Sequence, residues 1–379
     1  MLGPANPLPM RRRDFLALAG VPFAVGFGSA CAASRRSLVV VPQRRFVPVK
    51  VAPDREIRTV VGLRPFRPSG FVLRAEKIDD KLIVHNYGHG GGGMTLSWGT
   101  AHLAVEKVLE SAHTDVAVIG CGGVGLATAR LLQRRGRSVT IYARDLPPNT
   151  TSNIAGAQWS PYLVFDEDKR SSAFREQFER AARFAHREFQ NLIGDYYGVR
   201  WIENYAISDK PFPNEPQGSD VHIADLFPDE HDLGPRDHPF GADKYVRRFT
   251  TMLIESPVYL NAVLRDFQIA GGKLVVAELP DLRAVAALPH GIVVNCTGLG
   301  AKALFNDGEL TPVKGQLTIL LPQPDVDYIT LTEDLYMFPR RDGILLGGTH
   351  ERGVWTMEPN QEAKARVMDG HARFFARMR

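Results

Sequence analysis

The segment Thr114 to Asp145, TDVAVIGCGGVGLATARLLQRRGRSVTIYARD, constrains the fold more than any other part of the 379-residue chain. An apolar run ends in Gly120-Cys121-Gly122-Gly123-Val124-Gly125. The spacing that follows predicts a helix from about Val124 to Arg135 and a second strand from Ser138 to Tyr142. Gly120, Gly122 and Gly125 match G-x-G-x-x-G at a strand-to-helix junction. Glycine there permits a tight turn and lets the backbone approach a pyrophosphate held at the helix N-terminus. The pattern is the start of a βαβ unit that binds a dinucleotide, with Gly123 and Val124 inside the turn. Ribose is expected just after the second strand, where Asp145 or the backbone beside Arg144 is the candidate. The fingerprint alone leaves FAD and NAD equally open.

The chain is long enough for a large core and two interlocked domains. Before the fingerprint, Arg55 to Tyr87 alternates β-branched runs with turns and predicts strands around a loop, and a helix is expected from Ser97 to Glu110. After it, helices are expected over Ser172 to Asp195 and Ser256 to Ala270, with strands and loops of a second domain from Val199 to Gly241. GIVVNCTG reads as a buried parallel strand. From Val313 onward four short runs read as antiparallel strands, and Asn360 to Arg379 as a final helix.

The formal charge of +4 is misleading. The first 45 residues hold seven Arg against one acid; removing them from 46 basic and 42 acidic residues leaves 39 against 41. The body is therefore slightly acidic, which argues against nucleic acid as a partner. The same stretch combines a basic cluster, a glycine-diluted apolar run from Phe15 to Gly28, and small residues around Cys31, as a cleavable export signal does. Arg12-Arg13-Asp14-Phe15-Leu16 resembles the twin-arginine motif, which implies an exported protein and the twin-arginine machinery as a transient partner. Cys31 is an alternative lipid-attachment site, although Gly28 stands where a lipobox prefers Leu. Beyond this leader only Cys121 and Cys296 remain, so neither a disulfide framework nor a metal site is expected.

Thr150 to Tyr162, TTSNIAGAQWSPY, resembles the D-amino-acid oxidase family of flavoproteins. The resemblance continues in the family's order through IVVNCTGLGA (Ile292 to Ala301), VKGQL (Val313 to Leu317), LYMFPR (Leu335 to Arg340) and LLGGTHERGVW (Leu345 to Trp355). Two motifs that end the family's chains stand at the beginning instead: GLRPFRP, Gly62 to Pro68, and HNYGHGGGGMTLSWG, His85 to Gly99. The expected architecture is thus α/β and circularly permuted: a Rossmann-like FAD-binding domain plus a substrate domain with a mainly antiparallel sheet. The resemblance implies FAD as cofactor. It puts Gly90, Gly91, Gly92, Gly93, Met94 and Thr95 around the flavin, and Thr150, Thr151, Ser152, Ala155 and Gly156 against its ribityl and pyrophosphate.

The resemblance makes Arg64 the clamp for a substrate carboxylate, a role that suits a planar, permanently charged, bidentate guanidinium. Tyr336 would support that carboxylate. The family's second active-site tyrosine falls on Thr332, and Gly92 replaces an aromatic found in many members, which predicts a more open pocket wall. His350, Arg352 and Arg340 are candidates for added positive charge, leaving neutral and acidic substrates both open, while His89 reads as a turn residue. The implied reaction converts a D-amino acid to its imino acid, with water giving the 2-oxo acid and ammonia, and oxygen giving hydrogen peroxide. Rivals are a glycine or amine oxidase, a flavin dehydrogenase with another acceptor, and a flavin-binding protein without turnover. The oligomeric state stays open.

The expected organisation is an export signal (1–33), a linker (34–53), FAD-binding segments (54–166 and 256–311), substrate-domain segments (167–255 and 312–358) and a C-terminal helix (359–379). Permutation further predicts that Ser111 to Thr114 joins helix to strand at the far edge of the sheet. It also makes Arg379 a neighbour of Phe46 to Pro48 and gathers Arg64, Tyr336 and both glycine runs around one cleft.

Overall fold

The computed structural model describes residues 46–215 and 222–378, so the leader, Cys31 and the connector through Arg45 lie outside the described residues. The first described elements are β1 (Glu56–Phe66), β2 (Val72–Ile78), β3 (Lys81–Tyr87) and α1 (Ser97–Leu109). β4 (Asp115–Ile119), α2 (Gly123–Arg134), β5 (Ser138–Ala143), the single-turn α3 (Thr151–Ile154) and α4 (Ser172–Asn191) follow. Next come β6 (Val199–Ser208), β7 (His231–Leu233), β8 (Tyr245–Ile254), α5 (Ser256–Ile269), β9 (Lys273–Val276), α6 (Leu282–Ala286) and β10 (Ile292–Asn295). The last are α7 (Ala301–Leu304), β11 (Thr311–Leu320), β12 (Tyr328–Leu331), β13 (Tyr336–Arg340), β14 (Gly343–Gly347), β15 (Glu351–Arg352) and α8 (Gln361–Ala376). Among the described residues, no helix is long and apolar enough to cross a membrane.

One sheet runs β2-β3-β10-β4-β5-β9, with β3 through β9 parallel and β2 antiparallel at its edge. Its central strands read as continuous apolar runs because both faces are covered. One core joins them to α1, α2, α4 and α5 through Trp98, Leu126, Leu132, Phe178 and Tyr259; a second packs Ala117, Ile119 and Val293 against Val285 and Leu288. Leu82, Ile292 and Val116 are in register at the strand starts. The joint between α1 and β4 lies at that edge, where Ser138 N–H donates to the Thr114 carbonyl and Arg137 to that of Ser111.

The other sheet runs β1-β11-β14-β13-β12-β6-β8-β7, with β15 on β11. The four strands expected after Val313 pair antiparallel with one another, and the sheet is mainly antiparallel as expected, with β12 parallel to β6 as its one exception. Two drawn boundaries are corrected. β1, assigned to the FAD-binding segment 54–166, pairs with β11 from Glu56 to Phe66 and so belongs to the second sheet. The stretch from Phe46, expected as linker, packs: Val49 is buried, and Phe46 and Val51 lie against the same core, because apolar side chains recur through a segment whose prolines suggested a connector. Tyr328 ties both ends of the described chain together, its hydroxyl donating to the Val47 carbonyl at 2.8 Å and lying 3.7 Å from Met378 Sδ.

Candidate functional site

Two residues 272 apart in sequence meet over the second sheet. Arg64 donates from Nη2 to the Tyr336 hydroxyl and from Nη1 to the Thr349 carbonyl, each at 3.5 Å. β1 and β13 are separated by β11 and β14, so three strand spacings, roughly 14 Å, lie between their backbones. The gap closes because the intervening strands carry glycine where the side chains cross. A β-carbon on Gly315 of β11 would overlap the Arg64 guanidinium, and one on Gly347, the register partner of Tyr336, would overlap the phenol ring.

Other arginines nearby are already committed. Arg67, three residues after Arg64, is bridged by Asp307 at 2.8 Å and Glu309 at 2.5 Å. Arg340 is buried and forked onto Asp342 at 2.8 and 2.6 Å. Arg352 forks onto Asp166 at 3.1 and 2.8 Å and lies 4.4 Å over the Phe66 ring. His350 faces Tyr162 and Tyr336, with ring centroids 6.0 and 6.4 Å apart. Desolvation and then the Arg64 charge lower its pKa to about 4, so it is neutral at pH 7. The three groups expected to add positive charge therefore offer little. Arg64 is half-buried and has no carboxylate partner among the described residues. Thr332, at the position of the absent tyrosine, closes the β12–β13 turn: its hydroxyl accepts from Leu335 N–H at 2.9 Å and donates to the Leu335 carbonyl at 3.2 Å.

On the parallel sheet the glycine runs meet at the first turn of α2. Gly120 adopts a φ of +108°, and a β-carbon on Gly125 would overlap the Gly120 carbonyl. Gly122 caps α2, Gly123 N–H donates to Ser152 Oγ at 3.0 Å, and Val124 packs partly against the core. The position of a β-carbon at Gly123 is taken by Met94 Sδ at 2.7 Å, with the Gly93 carbonyl 3.9 Å away. Gly90 to Gly92 form a tight turn in which Gly91 N–H donates to the Leu163 carbonyl, and the Thr95 hydroxyl donates to the Gly92 carbonyl. The open wall expected at Gly92 is absent, because Val164 and Leu96 fill the direction a side chain would take. His89 is buried, bonded to Thr100 and stacked on Phe71; desolvation lowers its pKa to about 3.

The remaining candidates line the same end of the sheet. Arg144 and Asp145 follow β5 and pair with each other at 2.9 Å on the surface. Such exposed pairs are worth little and yield to a ligand. Thr150 donates to Asn153 Oδ1 at 2.7 Å, Thr151 is exposed, and the Ala155 carbonyl accepts from Arg340 at 3.0 Å and Ser256 at 2.9 Å. Gly156 lies under the Phe338 ring, which occupies the place of a β-carbon at 2.5 Å.

Residues 115–378 match the family described as FAD dependent oxidoreductase, DAO. The chain belongs to this family. It is 32% identical over 249 residues to a D-amino-acid oxidase of Rubrobacter xylanophilus, covering 64% of this chain and 72% of that one. It is 29% identical over 262 residues to the D-aspartate oxidase of Homo sapiens, covering 67% and 73%. Glycine oxidase from Geobacillus kaustophilus shares the fold with a TM-score of 0.51 at 15% identity, over 69% of this chain and 77% of that one. The protein is thus an FAD-dependent oxidoreductase of the amino-acid-oxidase type.

The residues present fit FAD. The glycine turn at α2 has no room for side chains and leaves backbone free to face a pyrophosphate, and Gly93, whose side-chain direction meets only His89 at 3.8 Å, adjoins it. Sequence reasoning missed Gly315 and Gly347 as the bare positions over which Arg64 and Tyr336 meet. Their signal was available: glycine inside an otherwise apolar strand marks close approach of another group.

Proposed function

We propose that the enzyme oxidises neutral D-amino acids, releasing the 2-oxo acid and ammonia after hydrolysis of the imino acid and passing the electrons to oxygen as hydrogen peroxide. The observation that carries this reading is the half-buried Arg64 guanidinium, which lacks a carboxylate partner among the described residues and touches the Tyr336 hydroxyl, while Arg67, Arg340 and Arg352 each hold their own acid. An unneutralised, forked cation suits a small carboxylate. The identity of relatives named D-amino-acid oxidase supports the D configuration. Neutral His350 and the engaged Arg340 and Arg352 favour a neutral side chain, since a second carboxylate would find no further free cation among the described residues here.

FAD, when bound, supplies the two-electron acceptor for the Cα hydride. The chain's own part is to hold the carboxylate at Arg64 and Tyr336 and so fix the direction of the Cα–H bond. No protein base is required once the amine is neutral. Anaerobic addition of D-alanine should bleach the flavin absorbance and L-alanine should not; in air, peroxide should appear in step with 2-oxo acid. Bleaching only by glycine or secondary amines would support the amine-oxidase reading, and bleaching without peroxide a dehydrogenase. Bleaching by no amine would leave a binding protein.

We further propose that the chain is circularly permuted and exported. Permutation is supported by a family match that begins at residue 115, after the GLRPFRP and HNYGHGGGG motifs, and by Val47 and Met378, near the two ends of the described residues, both meeting Tyr328. A chain joined from 378 to 46 by a short linker and opened within 111–114 should fold and retain FAD; failure of both would overturn it. Export rests on the leader's pattern alone. Arg12→Lys with Arg13→Lys should hold the precursor in the cytoplasm, and mature enzyme still appearing outside would refute the twin-arginine route.

A further inference from the structure

Helix α3 is one turn long, and an isolated turn of helix has no stability of its own. Its position is set by what holds its ends. At the start, Ser152 Oγ accepts from Gly123 N–H in the first turn of α2. At the finish, the Ala155 carbonyl accepts two bonds from outside the segment, from Arg340 Nη1 on β13 at 3.0 Å and from Ser256 Oγ at the start of α5 at 2.9 Å. The Arg340 side chain is 2% exposed, its charge is matched by Asp342, and the Phe338 ring two residues before it occupies the space over Gly156. α3 is therefore a strut between the dinucleotide turn and the strand that carries Tyr336.

We propose that Arg340 and Ser256 are positioning residues for FAD: by gripping the Ala155 carbonyl they fix the segment Ser152 to Gly156 against the first turn of α2. Cofactor retention is thereby tied to β13. The proposal rests on the family's cofactor and is independent of which amine is the substrate.

The test is titration of the apoprotein with FAD, followed by flavin fluorescence, beside the apoprotein's own Tm. Arg340→Met should weaken FAD about ten- to hundredfold, the scale of one lost charge-assisted hydrogen bond. It leaves Asp342 with a half-exposed carboxylate, so no deeply buried charge is stranded. Ser256→Ala should weaken FAD about threefold to tenfold with an unchanged Tm. Arg340→Lys should recover part of the loss. The double variant should lose less than the product of the two, because both act on one carbonyl. At saturating FAD, KM for the amino acid should stay within about twofold while flavin dissociation quickens, a split that a general loss of folding would not give.

Unchanged FAD affinity in Arg340→Met and Ser256→Ala would overturn the proposal, as would a raised KM with unchanged FAD affinity, which would assign Arg340 to the substrate. If Arg340→Met fails to fold, Ser256→Ala decides alone. A wild-type apoprotein that takes up no FAD would sink the cofactor reading and the proposal together, whereas normal wild-type uptake with unaltered variants sinks the proposal only.

Discussion

At the parallel sheet the candidate cofactor site is a glycine turn with no room for side chains, whereas at the nine-stranded sheet the candidate substrate site is two side chains reaching across bare strands. The first arrangement excludes any β-carbon: Gly120, Gly123 and Gly125 are hemmed by the Cys296 carbonyl, Met94 and the Gly120 carbonyl. The second consists of one guanidinium and one phenol lying over the bare Gly315 and Gly347. On the proposed function, the first site would hold the cofactor through absent side chains and the second would hold the substrate through side chains that are present. The two should fail separately when mutated.

Gly125→Val should be the harshest test of that separation. Its β-carbon overlaps the Gly120 carbonyl, and overpacking there closes the turn itself. The purified variant should carry less than about a tenth of the wild-type flavin absorbance per protein; full occupancy would show that the turn is not the cofactor's seat. Arg64→Ala should do the reverse, keeping FAD while kcat/KM falls about 30- to 1000-fold, the ~2 to 4 kcal/mol of a buried charge-assisted contact. Lysine should recover little of it, lacking the fork, and steady-state kinetics with wild-type-like rates would remove Arg64 from the site.

Gly347→Ala probes whether the second region also depends on an absent atom. Its β-carbon overlaps the Tyr336 ring, which must move and take Arg64 with it. KM should rise roughly tenfold with FAD retained, about the 1–3 kcal/mol of an overpacked site. An unchanged KM would mean that the two side chains are free to pass over the strand. The mildest test concerns acid. His89, buried beside the glycine run, has its folded pKa lowered to about 3, below the unfolded ~6.5. Its contribution to stability is complete above pH 6.5 and is lost as pH falls toward 3, by up to about 1.4 kcal/mol per pH unit. His89→Gln should flatten the dependence of Tm on pH between 6 and 4.5, and an equally steep curve would exonerate this histidine.

The two regions were unequally legible in the sequence. The dinucleotide turn is local: strand, glycines and helix are contiguous, and α1, α2 and β5 end within a residue or so of their expected limits. The candidate substrate face is not local. That Arg64 and Tyr336 meet was an inference from a family's motif order, and nothing in β1 by itself states that its partner is β11, because an alternating pattern names a face and not a neighbour. Arg340 and Arg352 read as spare charge since their acids, Asp342 and Asp166, become partners only through strand geometry and a contact 186 residues away. The packing of Val49 and Phe46 was hidden by prolines that suggested a connector.

The place of β1 has a consequence in time as well as in space. Its ladder partner is β11, and the Thr59 and Thr318 hydroxyls that meet across it are 259 residues apart. β3 likewise lies between β2 and the late strand β10. A ribosome releases β1, with Arg64, long before β11, and because β1 is the edge strand of its sheet, neither of its edges is paired along its length until β11 arrives. Such distant pairings are slow to form and vulnerable to wrong partners. The parallel sheet must wait for β10 and the second sheet for strands that end at Arg352, so the second closes last.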